Sequence, residues 1–132
     1  MREILFRGKT LTGLWFEGAY YKQEEFYGEK EDAHIIITSK ETLYNNFALE
    51  SHIVIPETVG QYTGLTDKNG TKIFEGDIVK GTFFGFPFTV EDYVFSIVWQ
   101  EDVTGYRANY FENVEVIGNI HDNPELLKGD KE

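Results

Sequence analysis

The chain contains no cysteine. That excludes a disulfide framework, a thiolate metal centre and a cysteine nucleophile, and it fits a reducing cytoplasm. Long apolar runs are missing as well: "MREILFRGKT" carries charges at positions 2, 3 and 7. No signal peptide, membrane span or other targeting segment is therefore expected. Proline is scarce, with only Pro56, Pro87 and Pro124. Basic residues are also few, 12 Lys and Arg against 23 Asp and Glu, a net charge of −11. Nucleic acid is a disfavoured partner on this balance, because binding to phosphate draws on basic contacts that release counterions. No phosphate-cradling G-x-x-x-x-G-K-[ST] or G-x-G-x-x-G loop is present, and neither repeats, low-complexity tracts nor an interdomain linker stand out.

What is present is enough for a core. The 132 residues are 41% hydrophobic and 16% aromatic, which argues against disorder. One domain over 1–132 is expected, with room for an N-terminal β lobe (1–56) and a second lobe (57–129) sharing one core. The acids are unevenly spread. Residues 17–32 hold six acids against Lys22 and Lys30, and Glu91 onward holds ten against Arg107, Lys128 and Lys131. Such runs are read as solvated loops, or as an acidic surface that mimics nucleic acid.

The local pattern is strand. "EILF", the aromatic "GLWFEGAYYK" with Gly18 at a bulge or close backbone approach, and the continuous apolar "AHIIITS" read as three strands. Thr38 followed by Glu41 has the form of a capping box, and Leu43, Tyr44 and Phe47 share a helical face, so a short helix is expected there. Pro56 confines "SHIVIPETVGQYTGL" to an edge or strand junction at that point. In "EDYVFSIVWQ", Tyr93, Phe95, Ile97 and Trp99 alternate with Val94, Ser96 and Val98, the period of a half-buried strand. Gly105 and the pair Glu112 and Asn113 are turn candidates. "DNPELLKG" reads as a one-turn helix with Asn123 as N-cap and Pro124 at its first position. The whole predicts a mainly β fold, a small barrel or sandwich with one or two short helices.

One stretch, 63–80, looks at first like a site: "TGLTDKNGTKIFEGDIVK". As a calcium loop it fails on spacing. If Gly70 is the invariant glycine, position one is Leu65 and position twelve is Gly76, and neither has a ligating side chain. Glu75 and Asp77, two apart, could form a carboxylate pair for acid/base work. The same residues also have the form of a turn, with Asp77 bonding local amides and Gly76 at an unusual φ. "Asn69-Gly70" signals a type I′ hairpin, in which 61–66 pairs antiparallel with 71–74 and Asp67 accepts from the loop backbone.

His34, His52 and His121 lie in separate segments without metal-ligand spacing. Ser39, Ser51 and Ser96 lack a nucleophile-elbow context. No cofactor, metal or catalytic residue is expected; enzymatic activity would require folding to gather Glu75, Asp77 and a histidine. The segment "GTFFGFPFTV" is different in kind. Phe83, Phe84, Phe86 and Phe88 surround a turn at Gly85 to Pro87, and adjacent phenylalanines point to opposite strand faces. They are either ordinary core or a patch covered by another copy or by a partner protein.

Stretches 58–80, "TVGQYTGLTDKNGTKIFEGDIVK", and 114–129, "VEVIGNIHDNPELLKG", resemble the two signature blocks of the YopX family of bacteriophages and prophages of Gram-positive bacteria. "MREILFRGK" and "GLWFEGAYY" resemble its N-terminal blocks, so the likeness covers nearly the whole chain, least at 81–100. The resemblance implies phage or prophage origin, a mainly β fold with a Src-homology-3-like barrel, and no catalytic residues to carry over. Together these features lead to the expectation of a non-enzymatic interaction module in the bacterial host cytoplasm. It would be a homo-oligomer, with a host or phage protein as partner and no membrane association. The alternative is an acidic decoy that occupies a nucleic-acid-binding protein.

Overall fold

A computed structural model describes residues 4–24, 32–41, 47–85, 87–100 and 105–127. Eleven strands lie among them: β1 (Phe6–Lys9), β2 (Trp15–Gln23), β3 (Ala33–Glu41), β4 (Phe47–Val54), β5 (Gly60–Thr66), β6 (Lys72–Phe74), β7 (Asp77–Phe84), β8 (Thr89–Ser96), β9 (Trp99–Gln100), β10 (Gly105–Tyr106) and β11 (Glu112–Asn119). Their helical complement is three 3-10 turns, Pro56–Thr58, Arg107–Tyr110 and Pro124–Leu127. The fold is mainly β, as the strand-period pattern predicts. Among the described residues no helix is long and apolar enough to cross a membrane. Two compact units are present, Met1–Tyr62 and Thr63–Glu132, and β5 runs from the first into the second.

The first unit is an antiparallel sheet in the order β4-β3-β2-β1-β5. β3 lies inside it, with Ile36 opposite Tyr20 on one side and His52 on the other. This accounts for its continuous apolar run: Ala33, Ile35 and Ile36 are all buried. Gly18 sits against the Ile37 carbonyl, the close backbone approach its sequence context suggests. The first strand begins later than "EILF" implies, at Phe6, and Ile4 is exposed. The capping box at Thr38 does not form. Thr38 to Glu41 continue β3, and the Thr38 hydroxyl meets His52 Nε2 at 3.1 Å across the strand pair instead. Phe47 opens β4, while Leu43 and Tyr44 lie outside the described residues. Pro56 marks the expected junction, where Thr58 donates to the Ile55 carbonyl and accepts from the Lys9 amide.

In the second unit, β5 continues beside β6, β7 lies between β11 and β8, and β9 pairs with β10. Its core is Ile73, Val79, Phe95, Ile97, Tyr106 and Ala108. The alternation in β8 accounts for the inward placement of Phe95. Glu112 and Asn113 are not a turn between strands, because β11 passes through them with a register shift. The C-terminal segment forms a 3-10 turn instead of an α-helical one, and the Asn123 side chain reaches back to accept from the Asn119 amide. Among the described residues these sheets are open, and no ladder closes them into the Src-homology-3-like barrel that the resemblance implies.

Candidate functional site

The loop between β5 and β6 is organised by Asp67. One carboxylate oxygen accepts from the amides of Asn69 (2.8 Å) and Thr71 (2.9 Å), and the other accepts from Val116 in β11 (2.9 Å). The Lys68 amide donates to the Val114 carbonyl, so the loop is fastened to β11 twice. The hairpin forms as expected, but its turn is not type I′. Positive φ falls on Gly70 (85°) and not on Asn69, and Gly70 donates to the Asp67 carbonyl. This is a three-residue loop ending in a left-handed glycine, selected because Asp67 captures both loop amides. Burial alone would raise the Asp67 pKa; the three amides, with Lys68 adding to them, outweigh that and hold it below the ordinary value. A cavity of about 380 Å³ lies beside this loop, lined by residues including Asp67, Lys68, Asn109 and Glu112. Its most buried carboxylate is already engaged by backbone.

Glu75 and Asp77 each bond a separate partner. Asp77 is 1% exposed, and its carboxylate accepts from the Phe74 amide at 2.7 Å. Glu75 accepts from the Tyr106 hydroxyl at 2.8 Å. Gly76 between them, at φ 94°, exchanges backbone bonds with Ile97 and Ile120. Asp77 therefore serves the turn, as the "EGDIV" reading holds, while Glu75 ties it to the distant Tyr106. His34 meets the Tyr20 hydroxyl, and His52 stacks on Phe16 at 3.6 Å between centroids. His121 lies in the turn after β11. Among the described residues no three His, Asp or Glu side chains are grouped so as to hold a metal. Ser39 and Ser51 are exposed on β3 and β4, and Ser96 closes β8.

The phenylalanines lie on the β7–β8 hairpin, closed by a bond from the Gly85 amide to the Phe88 carbonyl. They are not ordinary core: Phe83 is 39%, Phe84 63% and Phe88 74% exposed. Phe86 lies outside the described residues. Phe83 joins Val90, Tyr93, Tyr110 and Phe111 around a groove of about 340 Å³. Tyr93 and Phe111 stack at 5.7 Å and 11°, and Phe83 leans on Phe111 at 5.7 Å. Gly81 faces this stack on β7, where even a methyl group would press on the Phe111 Cβ and on Val114.

Two bulges give the groove its shape. From Phe83 to Gly81 the central strand advances two residues, while its partner β8 advances three, from Val90 to Tyr93. On the other side Thr82 to Lys80 faces Glu112 to Glu115, again two against three. Each bulge holds a non-glycine residue in the left-handed region, Asp92 (φ 54°) and Asn113 (φ 55°). Cross-strand partners share a face, so the extra residue in β8 turns both Val90 and Tyr93 toward the Phe83 side. Phe83 is the part of this site that sequence marks. Val90, Tyr93, Tyr110 and Phe111 are missed, and the aromatic pair at 110–111 is the one local signal that could have drawn attention to them.

Residues 13–128 match the family described as YopX protein. The match spans the Asp67 hairpin, the Glu75–Asp77 turn and the aromatic groove. Among solved structures, the crystal structure of protein EF1440 from Enterococcus faecalis is similar to this chain. The similarity has 25% sequence identity and a TM-score of 0.52, and covers 96% of this chain and 99% of that one. No curated protein matches.

Proposed function

This chain belongs to the YopX family, and we propose that it is a non-enzymatic protein–protein interaction module that self-associates through the aromatic tip of the β7–β8 hairpin. The observation that carries this reading is the exposure of Phe83, Phe84 and Phe88 on one hairpin. Covering a phenylalanine that would otherwise stay in water is worth roughly 1.5–3 kcal/mol, and exposed apolar patches of this kind mark contact surfaces. Pairing along the outer edge of β8 is disfavoured, since Glu91 and the bulged Asp92 are the charge and distortion by which edge strands resist addition. Contact through side chains remains. On the family resemblance the reading extends to a phage or prophage origin and to action in the cytoplasm of a bacterial host.

The test is light scattering of the full chain across a concentration series. The wild type is expected to shift from one copy toward two or more, and the Phe84→Ser/Phe88→Ser variant to stay monomeric with an unchanged circular dichroism spectrum. A strictly monomeric wild type at millimolar concentration would remove self-association from the proposal.

A second reading, an acidic decoy for a nucleic-acid-binding protein, is favoured by one further observation. Glu91, Asp92 and Glu112 are exposed, and among the described residues no Lys or Arg pairs with them.

A further inference from the structure

The tip of the β5–β6 hairpin carries a chemical lability. Asparagine is a thermolabile residue, because the amide nitrogen of the residue that follows can attack its side-chain carbonyl carbon. A following glycine leaves that nitrogen unshielded. The asparagines among the described residues differ in this respect. Asn109, Asn113 and Asn119 precede Tyr110, Val114 and Ile120, whose side chains shield the nitrogen, and the Asn119 carboxamide is already held by the His121 and Asp122 amides. Asn123 precedes Pro124, which has no amide hydrogen to give up. Asn69 precedes Gly70. It is exposed, its carboxamide makes no hydrogen bond among the described residues, and nothing lies within 4 Å of the place a Gly70 side chain would take.

The fold holds the reacting atom back. The nucleophile is the Gly70 nitrogen, and its N–H donates to the Asp67 carbonyl at 3.0 Å. The amides on either side, Asn69 at 2.8 Å and Thr71 at 2.9 Å, donate to one Asp67 carboxylate oxygen. Ring closure takes the Gly70 nitrogen away from the Asp67 carbonyl and toward the Asn69 side chain, so the loop has to open before it reacts. The other Asp67 oxygen holds the Val116 amide at 2.9 Å. A change at the tip is therefore felt in β11.

We propose that Asn69 and Gly70 form a site of covalent self-modification, latched by Asp67, whose reaction releases the hairpin tip from β11. The Gly70 nitrogen bonds Asn69 Cγ, the bond from Cγ to Nδ2 breaks, and ammonia leaves with the proton that the Gly70 nitrogen gives up. The cyclic imide takes up one water. Opening at Cγ yields aspartate, and opening at the main-chain carbonyl yields isoaspartate. Both products place a carboxylate near Asp67, and isoaspartate also adds a methylene to the backbone. That methylene falls between the Asn69 and Thr71 amides, whose spacing lets them share one Asp67 oxygen. With the shared oxygen lost, Asp67 no longer sits where Val116 reaches it. The proposal rests on this loop alone and not on the reading of the chain as an interaction module.

The full chain is incubated at mildly alkaline pH, folded and in parallel in concentrated urea. Each asparagine is then followed by proteolysis and mass spectrometry, with isoaspartate resolved from aspartate by electron-transfer fragmentation. In urea Asn69 is expected to react at least about tenfold faster than Asn109, Asn113 or Asn119. In the folded chain it should still react before them, but at least about tenfold more slowly than in urea. Asp67→Ala, compared at a temperature where circular dichroism shows it folded, should raise the folded-chain rate at least about threefold. The isoaspartyl form, separated by anion exchange, should exchange its Val116 amide hydrogen at least about tenfold faster than the unreacted chain. Asn69→Asp, which adds the charge without the methylene, should stay within about twofold of wild type. Equal rates at Asn69 and the other asparagines overturn the proposal. Equal rates at Asn69 in the folded chain and in urea overturn it too, through a comparison that needs no variant to fold. Unchanged Val116 exchange in the isoaspartyl form overturns the release from β11. The self-association measurement is independent of all these outcomes, so either proposal can fail alone.

Discussion

Asp67 shows how a residue that resembles a metal ligand can be spent on the backbone. Its two oxygens satisfy three amides, two inside the loop and one from Val116 in β11. Removing the carboxylate leaves those donors without their acceptor in a buried setting, at a cost of roughly 1–3 kcal/mol for each group that water cannot reach. Asp67→Ala is therefore expected to lower the melting temperature by on the order of 10 °C, measured by calorimetry. The pH dependence follows from the direction of its shift. Burial works against the charge, but the three amides prevail and hold the folded pKa below the unfolded one. The stabilisation is fully present above the unfolded value of about 3.9 and fades as pH falls through the lower folded value. Wild-type stability should drop below about pH 4, and Asp67→Asn should flatten that part of the profile. The local half of this arrangement is legible in "DKNG", since an aspartate before a glycine turn accepts from the next amides. The Val116 half is not, because 49 residues separate the partners. The turn type fails for the same reason: "Asn-Gly" permits type I′, and the aspartate upstream selects another loop.

At the scale of elements, the central strand β7 meets a bulge on each neighbour, and the two differ from ordinary turns in what they do. Each adds one residue without ending its strand, so the side chains beyond it exchange faces. Asn113 is an economical choice there, because asparagine tolerates the left-handed region that a β-branched residue enters only at a cost. Asn113→Gly should leave stability within about 0.5 kcal/mol of wild type, while Asn113→Val should lose about 1–3 kcal/mol and disturb the Tyr93–Phe111 stack. Chemical denaturation measures the first effect and aromatic proton shifts the second. Sequence places β11 well enough but reads Glu112 and Asn113 as a turn, since polar residues with turn propensity look alike in a loop and in a bulge. The expected helix at Thr38 errs in the opposite direction. A capping pattern is a local preference, and Thr38 finds its partner, His52, across a strand pair. The aromatic groove was half legible: the phenylalanine-rich hairpin is conspicuous, but its other walls come from β8 and the 110–111 pair, which only pairing to β7 brings near.

For the molecule as a whole, the net charge of −11 sets how self-association responds to salt. Two copies meeting through their phenylalanines gain from apolar burial and lose from mutual repulsion. Added salt screens the loss, because the screening length falls from about 10 Å at 0.1 M to about 3 Å at 1 M. Raising sodium chloride from 0.1 to 1 M should therefore tighten self-association by roughly three- to tenfold. Light scattering at a series of salt concentrations records the slope. Association that weakens with added salt would show that charge, and not burial of the phenylalanine tip, holds the copies together.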